Sequence, residues 1–161
     1  MRVLAIDPGP TESGVVLFEN GRVKRAGVLG NERLRDRLSS IELLPLGQFP
    51  ACAIEWIESM GMPVGKEVFD TCLWVGRFLE RWYTVTGERL GNGAALITRR
   101  EVKLHLCGSA RAKDPNVRQA LLDKLGPAGT KKAPGPTYGV HGHLWAALAV
   151  AVTYAETRGA T

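Results

Sequence analysis

The chain opens on an apolar run, residues 2–7 (Arg-Val-Leu-Ala-Ile-Asp), that ends in a carboxylate and is broken at once by Pro8-Gly9. This pattern predicts a short strand. Two further runs, 14–19 and 22–28, flank Asn20-Gly21. Both central positions of such a turn need positive φ, so the pair predicts a hairpin and, with the first run, an antiparallel meander of three strands. Residues 31–43 place Leu34, Leu38 and Ile41 at helical spacing behind Asn31, a candidate N-cap. Pro45 and Pro50 fence off the following loop. Residues 51–57 are a second strand-like apolar run, with Glu55 inside it. After the Gly/Pro-rich loop 60–66, a helix capped by Asp70 or Thr71 is expected to run to about Tyr83, with Leu73, Gly76 and Leu79 on one side. Residues 94–97 predict a short buried strand, and 117–125 a helix stopped by Gly126-Pro127. The loop 126–140 is longer than compact domains ordinarily carry, so a functional or mobile segment is expected there. Residues 141–156, rich in Ala and apolar nearly all round, predict a buried final helix.

That order of elements predicts an α/β fold with a five-stranded mixed sheet, an antiparallel meander followed by parallel strands, and helices on both faces. The 161 residues suit one domain, residues 1–161, and no internal repeat is visible. Hydrophobic content of 45% and charged content of 23% predict a soluble globular protein. No apolar run is long enough to span a membrane. The first strand begins at Arg2, leaving no room for a signal peptide, so a cytoplasmic protein is expected. Cys52, Cys72 and Cys107 are widely spaced and odd in number, which predicts reduced buried thiols and not a disulfide frame or zinc knuckle.

Net charge brings in a partner. The chain carries +5 at neutral pH, with basic residues grouped at Arg99, Arg100, Lys103, Arg111 and Lys113 and again at Lys131-Lys132. A basic surface suits a polyanion, although many basic domains bind none.

Two carboxylates carry the candidate chemistry. Asp7 ends the first strand at the carboxyl edge of the sheet, where α/β folds place ligands. It could equally be a turn residue before Pro-Gly. Gly9 and Gly14 would let backbone or a phosphate approach closely. Glu55 lies mid-strand among apolar residues, where charge is rarely buried unpaired. Two carboxylates on neighbouring buried strands repel unless a cation lies between them, and a hard divalent ion such as Mg²⁺ would satisfy both. An edge strand with Glu55 facing solvent is the other reading. His141 and His143 stand where the last helix begins. A neutral imidazole there is a possible ligand or base, or simply a structural residue.

Taken together, the motifs resemble RuvC-type Holliday junction resolvases of the RNase H-like superfamily. Ile6-Asp7-Pro8-Gly9 with Gly14 is similar to their first motif and Ile54-Glu55 to their second. Val102-Lys103, followed by Gly108-Ser109-Ala110 and Lys113, resembles their basic DNA-contacting stretch, with one residue fewer between the lysines. His143 with Ala147-Leu148-Ala149-Val150-Ala151 resembles their final helix. The motifs fall in order across nearly the whole chain. The segments Phe69-Asp70-Thr71-Cys72 and Gly129-Thr-Lys-Lys132 look more like phage-encoded relatives. The resemblance implies a metal-dependent endonuclease of recombination and repair that resolves four-way and other branched DNA as a homodimer. Asp7, Glu55 and His143 would be its metal ligands and catalytic residues, with Mg²⁺ bound and Mn²⁺ able to substitute. His141 would be a possible addition. Lys103, Arg111, Lys113, Lys131 and Lys132 would bind DNA.

There is one departure. Many relatives carry Asp one helical turn after the histidine, on the same face of the helix; here that residue is Ala146. Three readings stay open: a leaner site completed by His143, an inactivating substitution, or a protein that binds branched DNA without cutting it. An RNase H-type nuclease of RNA–DNA hybrids and a kinase-like phosphate-binding domain are the wider alternatives, the latter disfavoured by the short chain. Asp70 and Asp114 fit helix starts better than ligands. Trp56, Trp74, Trp82 and Trp145 are expected in the core. Met60 and Met62 are candidates for a wedge into opened DNA, or for a helix-docking loop.

Overall fold

The computed structural model describes residues 1–39, 49–59, 61, 63–87 and 93–158. Five strands form one sheet: β1 (Arg2–Asp7), β2 (Glu12–Glu19), β3 (Arg22–Gly30), β4 (Ala51–Trp56) and β5 (Ala95–Thr98). Their order is β3-β2-β1-β4-β5. The β1–β2 and β2–β3 pairs are antiparallel, and β1–β4 and β4–β5 are parallel. This is the mixed sheet that the sequence predicts. Asn20 and Gly21 hold the first hairpin with φ of 51° and 76°.

The helices are α1 (Asn31–Ser39), α2 (Lys66–Thr86), α3 (Arg99–Cys107), α4 (Asp114–Leu125) and α5 (Leu144–Thr157). They cover both faces. On one face α1 and α2 pack Leu34, Leu38, Val75, Phe78 and Trp82 against Ile6, Cys52 and Ile54. On the other, α5 lays Ala147, Leu148 and Ala151 against Val3, Ala5, Val16 and Ala53, with Val102 and Leu121 of α3 and α4 closing the layer. Strand alternation therefore decides which residues reach the α5 face: Val3, Ala5 and then Asp7 from β1, Ala53 and then Glu55 from β4.

Several local expectations change. Helix α2 starts behind Gly65, a turn before Asp70, which instead pairs with Lys66 along the helix. Its buried stripe is Val75, Phe78 and Trp82, while Leu73 and Gly76 face solvent, because the sheet and α1 lie on the other side. Asn31 does not cap α1 in the usual way. Its buried amide accepts from the Ser13 hydroxyl at 2.6 Å and donates to the Gly9 carbonyl at 2.9 Å, tying the loop after β1 to the start of α1. Helix α3 was not legible from apolar spacing, yet Thr98-Arg-Arg-Glu101 forms a capping box. The Thr98 hydroxyl accepts from the Glu101 amide at 3.1 Å, and the Glu101 carboxylate accepts from the Thr98 amide at 2.7 Å. The predicted extension of the first helix to residue 43, with Ile41 and Pro45, lies outside the described residues, as do Met60 and Met62. Of the tryptophans, Trp82 is fully buried and Trp56, Trp74 and Trp145 partly so. The 126–140 loop folds back on itself through Thr130 N–H to Ala133 O and Gly135 N–H to Ala128 O, and the Pro136 carbonyl accepts from Val23 of β3. Among the described residues no helix is long and apolar enough to cross a membrane.

Candidate functional site

The parallel register of β1 and β4 pairs Ala5 with Ala53 and Ile6 with Ile54, so the next residues along, Asp7 and Glu55, stand side by side. Both point to the α5 face. Both are largely shielded: 14% of the Asp7 side chain and 11% of that of Glu55 reach solvent. Burial first, then a hydrogen bond shared with Glu55 and the Glu55 charge, push the Asp7 carboxyl up to about 9; Arg99 nearby pulls partly the other way. In the absence of a metal ion Asp7 thus holds a proton at neutral pH. The edge-strand reading of Glu55 fails, because β4 lies between β1 and β5.

A cleft opens over this pair. Asp7, Glu55, Arg99, Lys103, Asp114, Arg118, His143 and Ala146 line it. His143 precedes the first residue of α5 and brings its Nδ1 to 4.0 Å from Asp7 Oδ2, with 83% of its side chain exposed. His141 is exposed and does not line the cleft. Ala146 does, where a longer side chain would enter it.

Gly14 explains how α5 comes so close. It pairs with Asp7 across the hairpin, and a β-carbon there would lie 3.3 Å from the His143 carbonyl oxygen and 3.6 Å from Leu144 Cδ2. The glycine is needed for close approach, and what approaches is the backbone at the start of α5. Gly14→Val is expected to push His143 away from Asp7 and to destabilise the fold by ~1–3 kcal/mol, measurable as a lower urea midpoint. An unchanged midpoint would show that α5 does not depend on this contact. Gly9 has a similar constraint: its β-carbon would meet the Glu12 carbonyl oxygen at 2.5 Å.

Three residues at the cleft, Arg99, Asp114 and Arg118, were not singled out as site residues by the sequence. Arg99, the first residue of α3, donates from Nη1 to Glu55 Oε1 at 3.2 Å and from Nη2 to Asp114 Oδ1 at 2.7 Å. Asp114 does begin α4, as Asp-Pro suggests, but that start faces the cleft. Arg118 is a third addition, stacked 5.0 Å from the Trp145 ring. Glu101, three residues after Thr98, was the available signal for Arg99, since a capping box fixes the first turn at the carboxyl end of β5.

Of the basic residues expected to bind DNA, only Lys103 lines this cleft. Lys113 stands at the N-cap of α4, next to Asp114, and Arg111 lines a separate shallow depression with Ser109 and Asn116. Lys131 and Lys132 project from the tip of the 126–140 loop and are exposed.

The donor set suits a hard cation at the Asp7–Glu55 pair, which otherwise needs a proton to coexist. Among the described residues no three His, Cys, Asp or Glu side chains converge closely enough to hold a metal ion as they stand. Loading would therefore require His143 or a water to complete the shell.

No family model matches the sequence, and no curated protein matches it. Solved structures do. A structure of Thermus thermophilus RuvC in complex with a Holliday junction substrate superposes on 96% of this chain and 93% of its own, with a TM-score of 0.69 and 22% identity. A second Thermus thermophilus RuvC structure covers the same shares with a TM-score of 0.66 and 24% identity. This chain, with its meander, two parallel strands and helices on both faces, has the RNase H-like fold of RuvC.

Proposed function

We propose that this protein is a divalent-metal-dependent endonuclease that cuts branched DNA, four-way junctions above all. The observation that carries the reading is the Asp7–Glu55 pair: two buried carboxylates that raise each other's need for a cation, at the carboxyl edge of a RuvC-like sheet. Asp7 and Glu55 would hold Mg²⁺ or Mn²⁺, which when bound activates water and polarises a phosphodiester. His143, exposed at the rim and next to Asp7, is placed to complete the shell or to take a proton from the attacking water. Lys103 and Arg118 at the walls would hold phosphates of the cut strand. Lys113, Arg111 and the Lys131-Lys132 tip would track the arms further out.

The test is a nicking assay on a synthetic four-way junction beside duplex, fork and RNA–DNA hybrid, with Mg²⁺ and with Mn²⁺. Junction nicking supports the reading; hybrid cleavage without junction cleavage would replace it with an RNase H-type activity. Ala146, and no converged metal triad among the described residues, favour one further reading, salt-sensitive binding of branched DNA without cleavage. Restoring the carboxylate with Ala146→Asp separates the two, since a degraded site gains activity that a lean one already has.

A homodimer fits a junction with two symmetric strands to cut. Support comes from α2, whose outer face exposes Phe69 (65%) and Leu73 (55%) one turn apart, continued by Gly76 and Tyr83. Exposed apolar rows of this kind mark association surfaces. The double variant Phe69→Asp, Leu73→Asp is expected to sediment as a monomer at concentrations where the parent chain is dimeric. A dimer that survives both charges would place the interface elsewhere.

A further inference from the structure

Arg99 stands at the carboxyl end of β5 and lines the cleft. The capping box at Thr98 and Glu101 fixes it as the first residue of α3. From there both terminal nitrogens are used, one on Glu55 of the central sheet and one on Asp114 of α4. Its guanidinium thus lies inside the cleft, between a residue of the carboxylate pair and a carboxylate from a different element. We propose that Arg99 is a built-in cation that keeps Glu55 and Asp114 from sharing a second divalent ion, with Asp114 as the group that anchors it there, so that each chain binds a single divalent ion. The inference rests on the nuclease reading above and narrows it.

Geometry supports this. Lys103 and Arg118 line the same cleft as Arg99, so Asp7, Glu55 and Asp114 already face cationic side chains on several sides. A second divalent ion could reach the oxygens of Glu55 and Asp114 only by displacing Arg99 from both. No ligand replaces them at the opposite wall, where Ala146 offers no oxygen. Arginine suits the role better than lysine, because its planar fork can serve two carboxylates at once and it stays charged throughout the working pH range. Asp114 is accordingly a positioning residue: it acts through Arg99.

The experiment counts bound Mn²⁺ on the full chain without DNA, by calorimetry and by the electron paramagnetic resonance signal of free Mn²⁺. The parent chain is expected to bind one ion, and Arg99→Gln two, as Glu55 and Asp114 are released. Arg99→Gln combined with Asp114→Asn returns to one, and Arg99→Lys stays at one. Arg99→Met, which keeps the aliphatic stem, gives the same reading if the glutamine variant does not fold. Two ions on the parent chain, or one on a folded Arg99→Gln or Arg99→Met chain, would overturn the proposal while leaving the nuclease reading intact. No Mn²⁺ on the parent chain at all, with Asp7→Asn indistinguishable from it, would sink the nuclease reading itself.

Discussion

Asp7→Asn is expected to abolish the proposed metal-dependent nicking and at the same time to make the metal-free protein more stable than the parent chain. The two effects have one cause. Asp7 is buried beside Glu55, and the fold tolerates it without metal only by keeping it protonated, far above its ordinary pKa of 3.8. The unfolded chain has no such constraint. At neutral pH the folded state therefore gives up ~2–4 kcal/mol that an amide, neutral at every pH, does not. Asparagine keeps the size and can donate to Glu55, so the substitution removes the cost of holding a proton there without opening a cavity. It also removes the charge that would grip a divalent ion, and nicking is expected to fall by ~10³-fold or more, as when a group that stabilises transition-state charge is lost. Glu55→Gln is expected to lose nicking as well, but it also removes the ion pair with Arg99. Thermal unfolding in chelator, run beside a junction-nicking assay, checks both halves. A variant that is inactive and destabilised would mean that Asp7 is structural.

The second large effect is on pH. A carboxyl whose folded pKa is raised binds a proton in the native state over the window in which the unfolded state has lost it. Stability contributed through Asp7 thus falls as pH rises from about 3.8 to about 9, opposite to the usual behaviour of a salt-bridged carboxylate. Metal binding must expel that proton. Mn²⁺ affinity is expected to climb about tenfold per pH unit below the folded pKa, and each ion bound near neutral pH to release about one proton. Calorimetry in buffers of different ionisation heat reads the proton directly. Affinity that is flat between mildly acid and mildly alkaline pH would show that Asp7 is already ionised. At high pH, added Mn²⁺ should also recover the stability that the apo protein loses.

Much of the architecture is written locally. The apolar runs, the Asn20-Gly21 turn, the Pro and Gly stops and the Ala-rich last helix each depend on the preferences of a few adjacent residues, and the strand count and the mixed sheet follow from them. Where the reading slipped, the deciding force came from elsewhere. Helix α2 presents Phe78 and Trp82 to the core and leaves Leu73 outside, because α1 and the sheet, and not its own apolar residues, choose the buried side. Helix α3 has its start in a capping box but too few buried residues for a periodic signal; among them only Val102 is fully inside.

The same division runs through the site. Asp7 and Glu55 were identifiable from the sequence, each as a carboxylate in an apolar strand, and a resemblance to RuvC joined them. That they share a face is a consequence of strand alternation, but that they are adjacent needed the parallel register of β1 on β4, which no local pattern encodes. Gly14 was legible as a position of close approach; only packing revealed that it admits the backbone of His143. Arg99 and Asp114 lie fifteen residues apart in sequence, and nothing in either neighbourhood points to the other. The chain by itself determined which strands carry charge into the core, since burying an ionised group leaves a mark in any apolar run. What neutralises that charge was decided by tertiary structure alone, because an ion pair depends on distance in space and the sequence records only distance along the chain.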